Sequence, residues 1–183
     1  MSDDSADPST AVTIREATRD DVPGIRRVAR EGWHAAYDEF LDETTIERVL
    51  DRWYGPASVE RAVTDPDAVY LVAEPTDSTD RNVVGYVSGR AQTDRYGSGK
   101  SFYVAPERWG EGIGSALFER LLDSLRAASV ERVEFEVLAA NEQARGFYES
   151  RGFDAVGESE DDLFGEVHPV VVYARDATLG SDG

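Results

Sequence analysis

FYVAPERWGEGIGS, residues 102–115, decides how this chain reads. It runs as a buried strand, a proline stop at Pro106, a turn with glycine at alternate positions (Gly110, Gly112, Gly114), and the start of an amphipathic helix. Glycines so spaced let several backbone N–H groups converge with no Cβ in the way. The first N–H groups of a helix have no intrahelical partner, and the macrodipole adds positive potential there. The segment is thus suited to a phosphorylated ligand, although the same glycines could serve only a sharp strand-to-helix connection. A Walker loop is excluded, because no Gly-Lys-Ser/Thr follows and the single lysine, Lys100, lies upstream. A dinucleotide fingerprint fits poorly: Ser115 stands where its last Gly or Ala belongs, and the segment lies past mid-chain.

Working outward, VTIREAT (12–18) alternates as a strand, and Asp20 or Asp21 caps a helix with Pro23 in its first turn. Ile25, Val28, Ala29, Trp33, Ala36 and Tyr37 form that helix's apolar stripe. Helical stretches follow at 45–53 and 57–63, then a strand at 68–74, a turn at 74–81 and a hairpin partner at 82–92. DRYGSG (94–99) reads as a loop before the strand ending at Pro106. Beyond the glycines, a helix over 112–128 places Ile113, Leu117, Leu121, Leu122 and Leu125 on one face. VERVEFEVLA (130–139) alternates as a strand, Asn141 starts a helix closed by Gly152, and two strands near 153–158 and 167–175 finish the chain. The expectation is one α/β domain over 12–176, a mixed sheet of six or seven strands with helices on both faces, between flexible tails at 1–11 and 177–183.

Composition narrows the chemistry. With no cysteine, disulfides, thiolate catalysis and zinc–thiolate sites are absent; His34 and His168 are too few and too far apart for a metal site. No apolar run approaches the roughly 20 residues that span a bilayer. MSDDSADPST, acidic and polar, does not read as a secretory signal, so a cytoplasmic location is expected. Acidic residues number 37 against 19 basic, a net charge of −18, and all the basic residues but Lys100 are arginine. Such acidity with a solitary lysine points to adaptation to a salt-rich cytoplasm, where self-repulsion is screened. No basic stripe is visible, which disfavours nucleic-acid binding.

The element order, with VxPxxxGxGIG after the fourth strand and NxxARxFYExxGF after the fifth, resembles the GCN5-related N-acetyltransferases over about residues 12–175. The second motif stands as Asn141, Ala144, Arg145, Phe147, Tyr148, Glu149, Gly152 and Phe153. The resemblance implies that the glycine turn wraps the pyrophosphate of acetyl-CoA, here through Arg108, Trp109, Gly110, Glu111, Gly112, Ile113, Gly114 and Ser115. It implies a splay between the fourth and fifth strands, with the pantetheine arm pairing against Phe102, Tyr103 and Val104 and one of their N–H groups polarising the thioester carbonyl. Family members often carry Gln or Arg where this chain has Trp109; a main-chain cradle tolerates that change.

Asn141 and Tyr148 lie seven residues apart, about two helical turns, so they share a face with Ala144. The resemblance makes Tyr148 the general acid for the departing thiolate, a role suited to a phenol near pKa 10; a core aromatic is the other reading. Phe147 and Phe153 read as core, with Phe147 beside the donor. Where many relatives have a glutamate before the fourth strand's Tyr-Val, this chain has Ser98 or Lys100, so Glu136 is the nearest candidate base, alternatively a solvated sheet residue, and Glu134 shares that ambiguity. Trp33 and Tyr37 stand on the acceptor side or in the core; His34 faces substrate or solvent. The implied activity is direct transfer of an acetyl group from acetyl-CoA to a primary amine, a small molecule or a protein N-terminus, with no metal and no covalent enzyme intermediate. An α-amine near pKa 7.7–8 is already about a tenth neutral at pH 7 and suits a weak base. A non-catalytic acyl-CoA-binding module is the alternative; a homodimer is compatible with the resemblance. From the charge balance, activity is expected to rise with KCl into the molar range, and full activity at about 0.1 M with no further gain would refute salt adaptation.

Overall fold

The computed structural model of the chain describes residues 12–76, 82–93 and 95–177. Its elements run β1 (Val12–Glu16), α1 (Val22–Tyr37), α2 (Glu43–Trp53), α3 (Pro56–Thr64), β2 (Ala68–Pro75), β3 (Gly85–Ala91), β4 (Tyr96–Val104), α4 (Ile113–Ala127), β5 (Arg132–Leu138), α5 (Glu142–Ser150), β6 (Asp154–Leu163) and β7 (Glu166–Asp176). The strands form one seven-stranded sheet in the order β1-β2-β3-β4-β5-β7-β6. Only the β4–β5 pair is parallel, because α4 carries the chain back across the sheet between them.

Each face of the sheet has its own core. The α4 stripe predicted from sequence (Ile113, Leu117, Leu121, Leu122, Leu125) is fully buried and joins Phe118 against Val87, Val133, Phe135 and Tyr173. On the other face Ile25, Val28 and Ala29 of α1 meet Ile46 and Val49 of α2 over Val72 and Tyr86. Arg15 of β1 ties β1 to β2 and to the approach to α1. Its guanidinium donates to both Asp21 carboxylate oxygens, at 2.7 and 2.8 Å, and to Glu74 of β2 at 2.9 Å. Asp21 is therefore not the forward cap that the sequence suggests. It accepts from Thr18 N–H at 2.8 Å, turned back toward β1, where Arg15 neutralises an otherwise costly buried carboxylate.

Two further expectations fail. Residues 96–99, read as loop, are the first half of β4. Their glycines suggest a turn, but close packing requires them: a Cβ on Gly97 would lie 3.0 Å from Val130, and one on Gly99 only 1.8 Å from the Phe135 ring. The last hairpin is also longer than expected, because β6 continues to Leu163. Its acidic, non-alternating sequence conceals a sheet edge that charge protects from further pairing. Phe164 and Gly165, at φ 55° and 96°, make the turn into β7. Ala177, buried, closes the described chain by donating its N–H to Glu131 O at 2.8 Å. Ala177 thus belongs to the packed domain and not to the tail expected at 177–183; the rest of that tail, the tail expected at 1–11 and residues 77–81 of the expected turn lie outside the described residues.

Phe135 is clamped by Phe118, Tyr148 and Phe153, with ring centroids 4.8–5.8 Å away, so its ring has nowhere to go. Gly99→Ala should therefore destabilise the fold by about 1–3 kcal/mol through overpacking. A urea titration that finds the midpoint unmoved would contradict this.

Candidate active site

β4 and β5 pair only at Tyr96↔Arg132, Gly97↔Val133 and Ser98↔Glu134, and then separate. The divergence begins where the Phe135 ring lies over Gly99. From there to Val104 the outer edge of β4 faces an open cleft. Ala105 N–H donates to Val84 O at 2.9 Å, which fixes the alternation of the antiparallel β3–β4 ladder. The peptide groups of Tyr103 turn toward β3, and those of Phe102 and Val104 toward the cleft. Of the three residues expected at the splayed edge, two thus present backbone to it. One of those groups is already engaged: the Trp109 indole N–H donates to Val104 O at 2.9 Å.

A short 3-10 turn (Pro106–Arg108) and the glycines carry β4 into α4. Gly110 and Gly112 have φ of +84° and +83°, in the left-handed region, and a Cβ on either would meet nothing within 4 Å. The turn is therefore open to the outside, and its conformation favours glycine. Gly112 is the α4 N-cap, so the first unpartnered amides of a 15-residue helix face the same opening. A cavity of about 360 Å³ lies here, lined by Arg108, Trp109, Gly110, Gly112, Ile113, Gly114 and Ser115 from the turn and by Phe102, Tyr103 and Val104 from β4. Asn141, Ala144, Phe147 and Tyr148 of α5 and its cap form the far wall. Glu111 alone of the expected donor-side residues is not in the lining; its carboxylate accepts from Arg108 at 3.3 Å.

Asn141 caps α5, its Oδ1 accepting from Ala144 N–H at 3.1 Å. Its Nδ2 donates across the cleft to the Tyr37 hydroxyl at 3.1 Å. Burial pushes the Tyr37 phenol up, and the Asn141 hydrogen bond partly offsets this. Tyr148 is buried at 4% exposure, its ring tilted against Phe135 with centroids 4.8 Å apart. Burial pushes its phenol well above the ordinary value near 10, so it stays protonated.

Tyr148, Asn141, Ala144, Phe102 and Tyr103 also line a second cavity, of about 530 Å³, on the opposite side of the splay. The two cavities meet at these residues. Trp33 and Tyr37 lie in the second, their rings 4.6 Å apart, together with Glu134, Glu136, Ser98 and Lys100. Glu136 is exposed and Glu134 half-buried. His34 lines neither cavity; its ring bonds Asp38 at 2.8 Å, which holds the imidazolium above its ordinary range. Sequence reasoning missed Trp53, Tyr54, Ser101 and Asp161 in the second cavity and Arg151 in the first. Tyr54 and Tyr86 both hydrogen-bond the Ser101 hydroxyl, at 2.8 and 2.9 Å. Nothing in the local pattern links those positions; only the sheet register does. Among the described residues no group of three or more His, Cys, Asp or Glu is placed to hold a metal ion, and no helix is long and apolar enough to cross a membrane.

Asn141→Ala removes both a helix cap and a bond to Tyr37, so a loss of about 1–2 kcal/mol is expected in chemical denaturation. Asn141→Asp, which keeps the cap oxygen, should recover most of it; equal losses in both variants would argue against the cap.

Comparison with known proteins accords with this geometry. The family model described as "Acetyltransferase (GNAT) family" matches residues 27–153. Over 53 residues, 29% of this chain, the sequence is 49% identical to the mycothiol acetyltransferase of Beutenbergia cavernae, and the match spans only 18% of that relative's length. The PaiA N-acetyltransferase of Thermoplasma acidophilum, solved in complex with coenzyme A, has the same fold: TM-score 0.74 at 19% identity, covering 91% of this chain and 99% of that one. The ribosomal-protein-S18-alanine N-acetyltransferase of Escherichia coli gives a TM-score of 0.65 at 18% identity, covering 94% and 98%. A family model that spans more than half of the sequence, on a seven-stranded sheet splayed between β4 and β5, makes this chain a member of the GNAT acetyltransferase family.

Proposed function

We propose that the protein transfers an acetyl group from acetyl-CoA to a primary amine by direct attack, with Tyr148 as general acid. The observation that carries this reading is the meeting of two cavities at Tyr148. One runs back to the glycine turn and suits the donor; the other, lined by Trp33, Tyr37 and Glu136, is open to an acceptor. The α4 amides and the glycine turn hold the diphosphate. The cleft-facing peptide groups of Phe102 and Val104 receive the pantetheine arm as an added strand, one N–H polarising the thioester carbonyl.

The neutral amine nitrogen bonds to the carbonyl carbon, the C–S bond breaks, and the thiolate takes the Tyr148 proton. The amine's surplus proton leaves through water to Glu136, and solvent protons restore the phenol. The dry surroundings that raise the phenol's pKa also disfavour a bare thiolate, so burial does not by itself oppose the transfer. With an exposed glutamate as base, weakly basic amines, α-amines among them, are the favoured acceptors.

Tyr148→Phe tests the assignment. The expected result is a kcat lower by about 10²-fold or more, followed as free thiol release, with calorimetric affinity for CoA kept. Indifference of turnover, or no turnover with any amine despite CoA binding, would favour a non-catalytic acyl-CoA-binding module. The sign of the pH dependence follows from the raised phenol: the protonated donor persists as pH rises, so kcat should hold from about pH 8 to about pH 10. A kcat that falls through that window with the signature of one group would contradict a buried Tyr148 donor.

A further inference from the structure

The donor-side cavity holds two cations and no carboxylate, in a chain with 37 acidic residues. Arg108 has Glu111 at 3.3 Å. Arg151 is different: among the described residues no carboxylate comes within ion-pair reach of it. It stands at the C-cap of α5, just before Gly152, whose φ of +82° ends the helix. Its carbonyl accepts from Arg175 Nη1 at 2.7 Å, which fixes the backbone. Its guanidinium carbon lies 4.5 Å over the Phe147 ring, and one Nη donates to the Ser115 hydroxyl in the first turn of α4. The Nε is buried without a partner.

A planar cation is thus held against an aromatic face beside the helix head, with donor capacity unspent and its charge uncompensated. Such an arrangement suits a phosphate, which takes two parallel N–H donors from an arginine. The geometry points to Arg151 as a binding residue for a phosphate of the acyl donor, acting with Ser115 and the α4 amides. This rests on the donor being a CoA thioester, as proposed above. Beside the ion-paired Arg108, Arg151 adds positive charge where a polyanion must dock on a net-negative protein.

Calorimetry of the full chain with CoA and with dephospho-CoA, repeated across KCl concentrations, tests the assignment. Arg151→Gln should raise the Kd for CoA roughly 10- to 100-fold, the weight of a charge-assisted hydrogen bond, and flatten its KCl dependence. Arg151→Lys, which keeps the charge and the stem but not the fork, should fall between and guards against misfolding of the first variant. Weakening with both ligands assigns the diphosphate; weakening with CoA alone assigns the 3′-phosphate. A Gln variant that binds CoA within twofold of the parent, with the same KCl dependence, overturns the proposal and leaves the donor reading standing. A parent chain with no affinity for CoA overturns both.

Discussion

The separation of β4 from β5 after the Ser98↔Glu134 pair is the constraint on which the rest of the structure depends. Parallel strands continue to pair unless something holds them apart, because an unpaired peptide edge is costly to bury. Here the Phe135 ring fills the space that a side chain on residue 99 would need, and a cluster of aromatic rings fixes it there. β4 is left with an edge whose peptide groups need partners, and both cavities reach the cleft beside it. The open edge is therefore a matter of packing, set where one aromatic residue lies over one glycine.

That edge is partly covered. The Trp109 indole sits on Val104 O, and the residue is 43% exposed, so one hydrogen bond holds a large ring where an incoming amide would pair. Exchange of that bond for one from a ligand is close to neutral in hydrogen-bond count, and the exposed ring can return to solvent. The left-handed glycine at position 110 lets the chain beside the indole turn sharply. Tryptophan in place of the commoner Gln or Arg thus leaves the main-chain cradle intact while giving the edge a neutral partner.

How much of this was legible in the sequence depends on how local each signal is. The glycine turn, the α4 stripe and the Asn141 cap are written within short windows, and the structure has each in its expected element. The β4 start was not, because Gly97 and Gly99 carry turn propensity and owe their strand conformation to Val130 and Phe135, more than 30 residues downstream. Asp21 misled for the same reason: a cap is a local inference, whereas its partner Arg15 belongs to the preceding strand. Arg151 sits inside the quoted motif as an unremarked position, and only the packing of α5 on the α4 head brings it beside Ser115. Glu136 was legible as a candidate for either the cleft or the solvated face, since alternation along a strand gives the face and not what covers it.

Net charge and local charge work at different ranges in this molecule. Screening at high salt shortens the reach of the summed −18 to a few ångströms, so contacts within one side chain's length decide what can dock. The second cavity carries Glu134, Glu136 and Asp161 against Lys100, whereas the first carries only arginine charge. Between them stand neutral phenols and an amide, Tyr37, Tyr103, Tyr148 and Asn141, and the Asn141–Tyr37 hydrogen bond links the head of α5 to α1. A neutral partition of that kind lets an anion approach from one side and an amine from the other without either charge having to cross the core. Because its members come from both faces of the sheet, the partition exists only when both layers are packed. The geometry that joins the two cavities is thereby tied to the integrity of the whole domain.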